Sequence, residues 1–346
     1  MLLRGVSLAA ILGLIVTASA TWWVQRALSP VGDGDGDGDG GARLVAFEIE
    51  PGDTMGRVAL ELEAEGLIRN SRVTRWFAKV EDLGSRLKVG EYELSDAQST
   101  PEILAVLVEG RVQTHPISIP EGLRASEIAD RLAAAGLADR QAFLEVVFDP
   151  DSPTRFGVDG PSLEGYLYPD TYRFARGLPA GRVAGAMITE FLDVYHQIAP
   201  GSDGVVAQGR KLSMRGLVTL ASIVEKETGV PQERPQIAAV FLNRLKRGMR
   251  LETDPTVIYG IDGFDGNLRR VHLEDSSNPY NTYRIAGLPP GPIASPGRAA
   301  LEAVLAPADS PYLYFVSRND GTHHFSKTYT EHKAAVDRFQ RRRQRR

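Results

Sequence analysis

LVTLASIVEKETGVPQERPQIAAVFLNRLKRGMRLETDPTVIYG, residues 217–260, is the stretch on which the reading of this chain turns. At about 100° per residue, Leu217, Leu220, Ala221 and Val224 form the centre of an apolar face that Val218 and Ile223 widen. A helix apolar over most of its circumference is a buried one. Two glutamates, Glu225 and Glu227, interrupt the run. Two positions correspond to about 200° around a helix, so they flank the apolar face on opposite sides. They cannot both aim at one bond. A carboxyl group in apolar surroundings resists ionising and can act as a general acid near neutral pH. Periodicity does not choose between the two, and either could instead pair with an arginine such as Arg234 or Arg244. A second helix is expected over 233–247, burying Ile237, Val240, Phe241 and Leu245 and closing at Gly248. After it, Asp254-Pro255 reads as a turn beside a short strand.

Around this stretch the composition is that of a globular protein, 42% hydrophobic and 24% charged, with 346 residues to build two or three domains. A net charge of −4 gives no sign of a nucleic-acid binder. With no cysteine there is no disulfide framework, thiol chemistry or cysteine-type zinc site. His323 and His324 adjoin but lack the spacing of a metal motif, so no metal and no cofactor is expected.

The N-terminus reads differently. Residues 6–24, VSLAAILGLIVTASATWWV, carry no charge, and at 1.5 Å per residue span roughly 28 Å, close to a bilayer core. Trp22 and Trp23 stand at the far end, where indoles favour the interface. The expectation is a transmembrane helix over 6–26 after a cytoplasmic stub, 1–5, with the rest outside the cytoplasmic membrane. Ala18-Ser19-Ala20 offers the competing reading of a signal-peptide cleavage site. An Asp/Gly-rich linker follows over 27–43; its GDGDGDGDGG core lacks the terminal glutamate and flanking helices of a calcium loop. A basic tail, 341–346, ends the chain.

The fold class expected is α+β, with helices around small sheets. From Leu44, a strand, a Pro-Gly turn and a helix with Val58 and Leu62 on one face end at Gly66. The pattern recurs at 117–137: Gly52 and Gly66 match Gly122 and Gly136 at an offset of 70, and Val58 and Leu62 match Ile128 and Leu132. Residues 44–115 resemble the small peptidoglycan-binding LysM modules, and 116–340 form the larger domain, opening on the second LysM-like copy. The aromatic-rich run 161–176, with Tyr166, Tyr168, Tyr172 and Phe174 beside Glu164 and Asp170, suits either sugar rings or core packing. The Pro-, Asn- and Tyr-rich run 277–297 reads as a stiff cleft wall.

Five runs, EGYLYPDTYRF (164–174), LASIVEKET (220–228), FLNRLKRGMRLETDPTVIYG (241–260), PYNTYRIAGLPPGPIASPG (279–297) and YLYFVSRNDGTHHFSKTYTEH (312–332), carry a specific resemblance. In order, and over Val45 to Phe339, the chain resembles the membrane-anchored endolytic murein transglycosylases, the MltG or YceG-like family. The resemblance implies a lyase that cuts the β-1,4 bond between N-acetylmuramic acid and N-acetylglucosamine in nascent peptidoglycan glycan strands. It implies 1,6-anhydro ends, termination of glycan elongation and association with penicillin-binding synthases at the inner membrane. It also implies Glu225, the first glutamate of V-E-K-E-T, as catalytic acid. Glu227, Asn243, Asp254, Thr256, Tyr280, Asn281, Tyr283 and Glu164 fall in matching motifs as substrate-binding or supporting residues. The alternatives are a muramidase-type hydrolase, with Asp254 or Glu164 as second carboxylate, and a non-catalytic wall-binding scaffold for synthases.

Overall fold

The computed structural model describes residues 2–32, 42–200, 205–207 and 209–341, excluding the side chains of 2–13, 205, 206, 210 and 341. Most of the Asp/Gly linker and the basic tail lie outside the described residues. The chain divides into two compact units, Met1–His115 with Ala175–Gly177, and Pro116–Phe174 with Leu178–Arg346. Both mix helix and strand, as an α+β fold requires.

The first unit begins with helix α1 (Leu2–Leu28). Among the described residues no helix is long and apolar enough to cross a membrane. The expected span, 6–26, falls on α1, and its side chains before Leu14 lie outside the description. Strand β1 (Leu44–Ile49) pairs antiparallel with β2 (Gly90–Ser95), Phe47 opposite Tyr92. Between them lie α2 (Met55–Ala64), whose N-cap is Thr54, and α3 (Ser71–Val80), capped by the Asn70 side chain. Helix α4 (Thr100–Glu109) follows β2; its cap is Ser99 in a capping box with Glu102, one residue before the Thr100 start that Pro101 marks. Phe47, Ile49, Val58, Leu62, Tyr92 and Leu104 fill the core.

The second unit begins within β3 (His115–Ser118) and continues into α5 (Ala125–Ala134); the two repeat β1 and α2 in backbone as well as sequence. Gly52 and Gly122 turn at φ 97° and 77°, Gly66 and Gly136 at 69° and 67°. That left-handed backbone strains any residue with a Cβ, which is why the glycines recur at the same offset. Val58, Leu62, Ile128 and Leu132 are all fully buried. Next come α6 (Arg140–Phe148), α7 (Ser152–Phe156), β4 (Thr171–Phe174), paired with β3, and α8 (Ala180–Ile198). The short pair β5 (Val205–Ala207) and β6 (Arg210–Leu212) leads into α9 (Met214–Glu227), capped by Ser213. All eight residues from Leu217 to Val224 are buried, including the polar Thr219 and Ser222. The hydroxyl of Ser222 makes that possible by donating to Thr219 O and accepting from Ile293 N.

Helix α10 (Arg234–Lys246) and α13 (Arg298–Leu305) pack on α9. Between them stand α11 (Asp254–Tyr259) and α12 (Arg270–Glu274). The expected turn and strand at LETDPTVIYG is therefore a short helix. Pro255 sits in its first turn, where the missing N–H has no intrahelical partner to lose. Strands β7 (Tyr314–Ser317) and β8 (His323–Ser326) form a hairpin before the last helix, α14 (Tyr329–Val336).

The aromatic run 161–176 resolves as core. Tyr166 is fully buried, its ring meeting Phe191 edge-on at 5.1 Å and its hydroxyl donating to Asp159 O. Tyr172 stacks on Phe174 at 5.4 Å and donates to Tyr168 O at 2.6 Å.

Candidate active site

The two glutamates at the end of α9 enter different surroundings, as their angular separation requires. Glu225 turns toward α10 and α13. One carboxylate oxygen accepts Arg234 Nη2 at 2.9 Å, and the other accepts the backbone N–H of Gly297, the N-cap of α13, at 3.1 Å. Its side chain is only 6% exposed, and that of Arg234 only 10%. Glu121 reaches the same guanidinium at 3.7 Å from a half-exposed position. Burial and the neighbouring charge of Glu225 push the Glu121 carboxyl up, against the pull of Arg234. This is an ion-paired cluster that ties four segments together.

Glu227 turns the other way, into a cavity of about 290 Å³ that it lines with Arg244, Glu252, Asp254, Tyr283, Tyr314, Tyr329 and His332, among others. Its carboxyl accepts a hydrogen bond from the Thr253 hydroxyl and, among the described residues, forms no ion pair. Burial pushes that carboxyl from 4.5 up to about 7; the Thr253 hydrogen bond and the positive Arg244 pull it down, and the charge of Asp254 raises it further. A group that titrates there is protonated or ionised in comparable amounts at neutral pH and can give and take a proton in one cycle.

Thr253 is held by a buried threonine cluster. Its N–H donates to Thr282 Oγ1 at 3.0 Å, and Thr256 Oγ1 lies 2.8 Å from both Thr253 O and Thr282 Oγ1. The residue before it, Glu252, has φ 48°, an unfavourable conformation for a side chain with a Cβ. It is fixed by its carboxylate on Arg244 at 3.1 Å and its N–H on Thr282 O at 3.2 Å. Arg244 is the hub of the wall. It donates to Leu313 O at 2.7 Å, to Arg250 O at 3.1 Å and to Leu251 O at 3.0 Å, and its guanidinium lies 5.0 Å over the Tyr314 ring. Tyr314 in turn stacks on His332 at 5.2 Å. The cleft therefore offers aromatic faces, two further carboxylates and one carboxyl poised near neutrality, the chemistry that a sugar polymer needs for binding and bond cleavage.

A profile of the YceG-like family matches residues 47–338. The chain belongs to the YceG-like family. The resemblance carried by the five motifs is thereby borne out. A protein of Bacillus subtilis strain 168 named endolytic murein transglycosylase is 30% identical over 315 residues, covering 85% of this chain and 84% of that one. One of the same name from Streptococcus pneumoniae R6 is 27% identical over 329 residues, covering 84% of this chain but only 57% of that longer protein. The crystal structure of a YceG-like protein from Listeria monocytogenes aligns with a TM-score of 0.55 at 32% identity, over 84% of this chain and 98% of that one.

Within this YceG-like chain the expected site residues divide. Glu227, Asp254 and Tyr283 line the cleft, and Tyr283 donates its hydroxyl to Asp254 Oδ1 at 2.7 Å. Thr256 lies behind it, fully buried in the threonine cluster. Asn281 is buried too: its amide donates to His272 O and Leu273 O at 3.2 Å and to Asp275 O at 2.6 Å, and its oxygen accepts Tyr283 N at 3.0 Å. Asn243 donates to Ser310 O at 2.7 Å and Tyr312 O at 3.0 Å, holding the segment before β7. Tyr280 packs on Tyr259 at 4.6 Å. Glu164 is buried, accepts Ala125 N at 3.0 Å and the Tyr259 hydroxyl at 3.2 Å, and is pushed by burial up to about 7. It serves the start of α5. Glu225 does not line the cleft. Sequence reasoning passed over Thr253, Tyr314, Tyr329 and His332; the last three lie in the fifth family motif, which was the available signal.

Proposed function

We propose that this chain is an endolytic murein transglycosylase, as its Bacillus relative is named, and that Glu227 is its acid and base. The observation that carries the assignment is the Glu227 carboxyl: desolvated, bonded among the described residues to Thr253 alone, and lining an aromatic-walled cleft. The resemblance to the family suggested Glu225 for this role. Its two oxygens are already engaged by Arg234 and Gly297 N, so we read it as a structural residue.

In the proposed reaction, protonated Glu227 donates to the glycosidic oxygen between N-acetylmuramic acid and N-acetylglucosamine. The carboxylate left behind takes the proton of the muramic C6 hydroxyl. O6 then attacks C1 and closes a 1,6-anhydro ring, and no water is consumed. The attack is intramolecular, so one carboxyl serves both steps without a second activating a water. A muramidase-type hydrolase is the second reading, favoured by the presence of Asp254 on the same cleft. Mass analysis of cleaved, uncrosslinked glycan separates the two, because anhydro ends are one water lighter than reducing ends. A product with only reducing ends sinks the lytic mechanism. Unchanged wall function in Glu227→Gln would instead favour a non-catalytic scaffold for synthases.

We infer further that residues 6–26 anchor the chain in the cytoplasmic membrane with the second unit on the outer side, supported by the uncharged run between Arg4 and Arg26. The first unit would act as a LysM-like glycan-binding module. Cleavage of nascent strands beside penicillin-binding synthases would end glycan elongation during wall assembly. Release of the chain from membranes by salt or alkali alone would defeat the anchor.

A further inference from the structure

Helix α3 carries a surface with no role in the site described above. Its residues Arg72, Arg75, Trp76, Lys79 and Val80 are all exposed, and Trp76 and Val80 remain 55% and 60% accessible. They follow the spacing i, i+3, i+4, i+7, i+8, so they share one face. The opposite face, with Ser71, Val73, Thr74 and Ala78, is buried in the unit. Among the described residues none of the three cations forms an ion pair. An exposed indole flanked by three long cationic side chains on one helical face is the composition of a helix lying in the headgroup layer of a bilayer.

The neighbour of this face specifies the partner. Helix α1 packs against α3, and a groove of about 230 Å³ is lined by Trp23 and Val24 of α1 with Arg72, Val73 and Trp76 of α3. Trp22, on the same end of α1, is 63% exposed. All three tryptophans of the chain are therefore gathered where α1 leaves its apolar run and meets α3. Indoles concentrate at the membrane–water boundary, and Arg and Lys place their charge on phosphates while their stems stay among acyl chains.

We propose that the exposed face of α3 lies on the membrane surface as a second contact, Trp76 and Val80 entering the interface and Arg72, Arg75 and Lys79 binding anionic phospholipid headgroups. This rests on the anchoring of α1. It adds that the first unit is laid against the bilayer in a fixed orientation rather than hanging free on α1. Each cation is expected to strengthen the contact on the order of fivefold.

The full chain with Trp22→Phe and Trp23→Phe retains Trp76 as its sole tryptophan. It is reconstituted into vesicles of neutral or anionic phospholipid brominated on the acyl chains. Flotation reports the anchor, and quenching of Trp76 reports the α3 contact. The expected result is flotation with both lipids, with strong quenching in anionic vesicles that falls severalfold when Arg72, Arg75 and Lys79 are changed to Glu. These side chains are exposed, and circular dichroism checks that the variant remains folded. Flotation without quenching overturns the inference and leaves the anchor standing. Quenching that survives the charge reversal overturns the headgroup contact, and failure to float overturns both readings.

Discussion

Glu225 and Glu227 are two residues apart on one helix, yet they enter different surroundings. Glu225 lies within an ion pair with Arg234 and accepts the backbone N–H of Gly297. Glu227 is desolvated, with one neutral donor and a negative neighbour in Asp254, which favours the protonated form. Glu225 holds three segments in place with a hydrogen bond on each oxygen. The difference shows how a helix assigns surroundings: it is the roughly 200° between the side chains, and not their identity, that separates an ion-paired carboxylate from one lining a cleft.

The largest effect is expected at Glu227. Glu227→Gln should lower glycan cleavage by about 10²–10⁴-fold, the usual worth of an acid–base group, with folding and glycan binding retained. Comparable loss in Glu225→Gln, at unchanged thermal stability, would return the catalytic role to Glu225. Glu225→Gln should act on stability instead. It leaves the Arg234 guanidinium buried with only Glu121 in reach, at about 3 kcal/mol, seen as a lowered melting temperature with cleavage largely preserved in folded protein.

A third expectation concerns pH. Glu227 has a folded-state value of about 7 against an ordinary 4.5, so the unfolded chain loses its proton first as pH rises. Its stabilising contribution is full below about pH 4.5 and is lost as pH climbs through about 7. Cleavage should decline over the same upper limb as the acid form disappears. Thr253→Val removes a hydrogen bond that lowers this value, so the limb should move to higher pH, with a rate loss of about tenfold; a profile that stays in place argues against the pairing. In Glu227→Gln the stability slope across pH 4.5 to 7 should be roughly halved rather than abolished, because Glu164 is raised in the same way. The smallest effect is expected from Tyr283→Phe, which frees Asp254 of one donor: about a threefold change, in KM more than kcat.

Much of this was legible in the sequence because it rests on local rules. The apolar periodicity of 217–224, the opposed directions of the two glutamates and the 70-residue repeat marked by glycines all follow from helix geometry and permitted φ values. The surroundings of Glu225 and Glu227 were not, because they depend on Gly297, 72 residues beyond Glu225, and on Thr253, 26 beyond Glu227. Whether the aromatic run 161–176 faced sugar rings or packed in the core stayed open for the same reason. Tyr166 and Tyr172 have the composition of a sugar platform but are held by Phe191 and Phe174, while Tyr314 and Tyr329 become a cleft wall only when the last hairpin and helix meet Arg244. Asn243 and Asn281 look like ligands in sequence because a side-chain amide that staples a loop has the same composition as one that binds a sugar.

The Asn281 staple has a kinetic meaning. Three carbonyls and one N–H of the segment from His272 to Tyr283 are gathered on a single buried amide, so this wall is assembled before any glycan arrives. Strand capture should then resemble the docking of rigid surfaces, with little configurational entropy lost from this segment. Amide hydrogen exchange at Tyr283 should be nearly the same with and without bound glycan, and an enzyme that cuts long, mobile polymers would find its flexibility in the substrate.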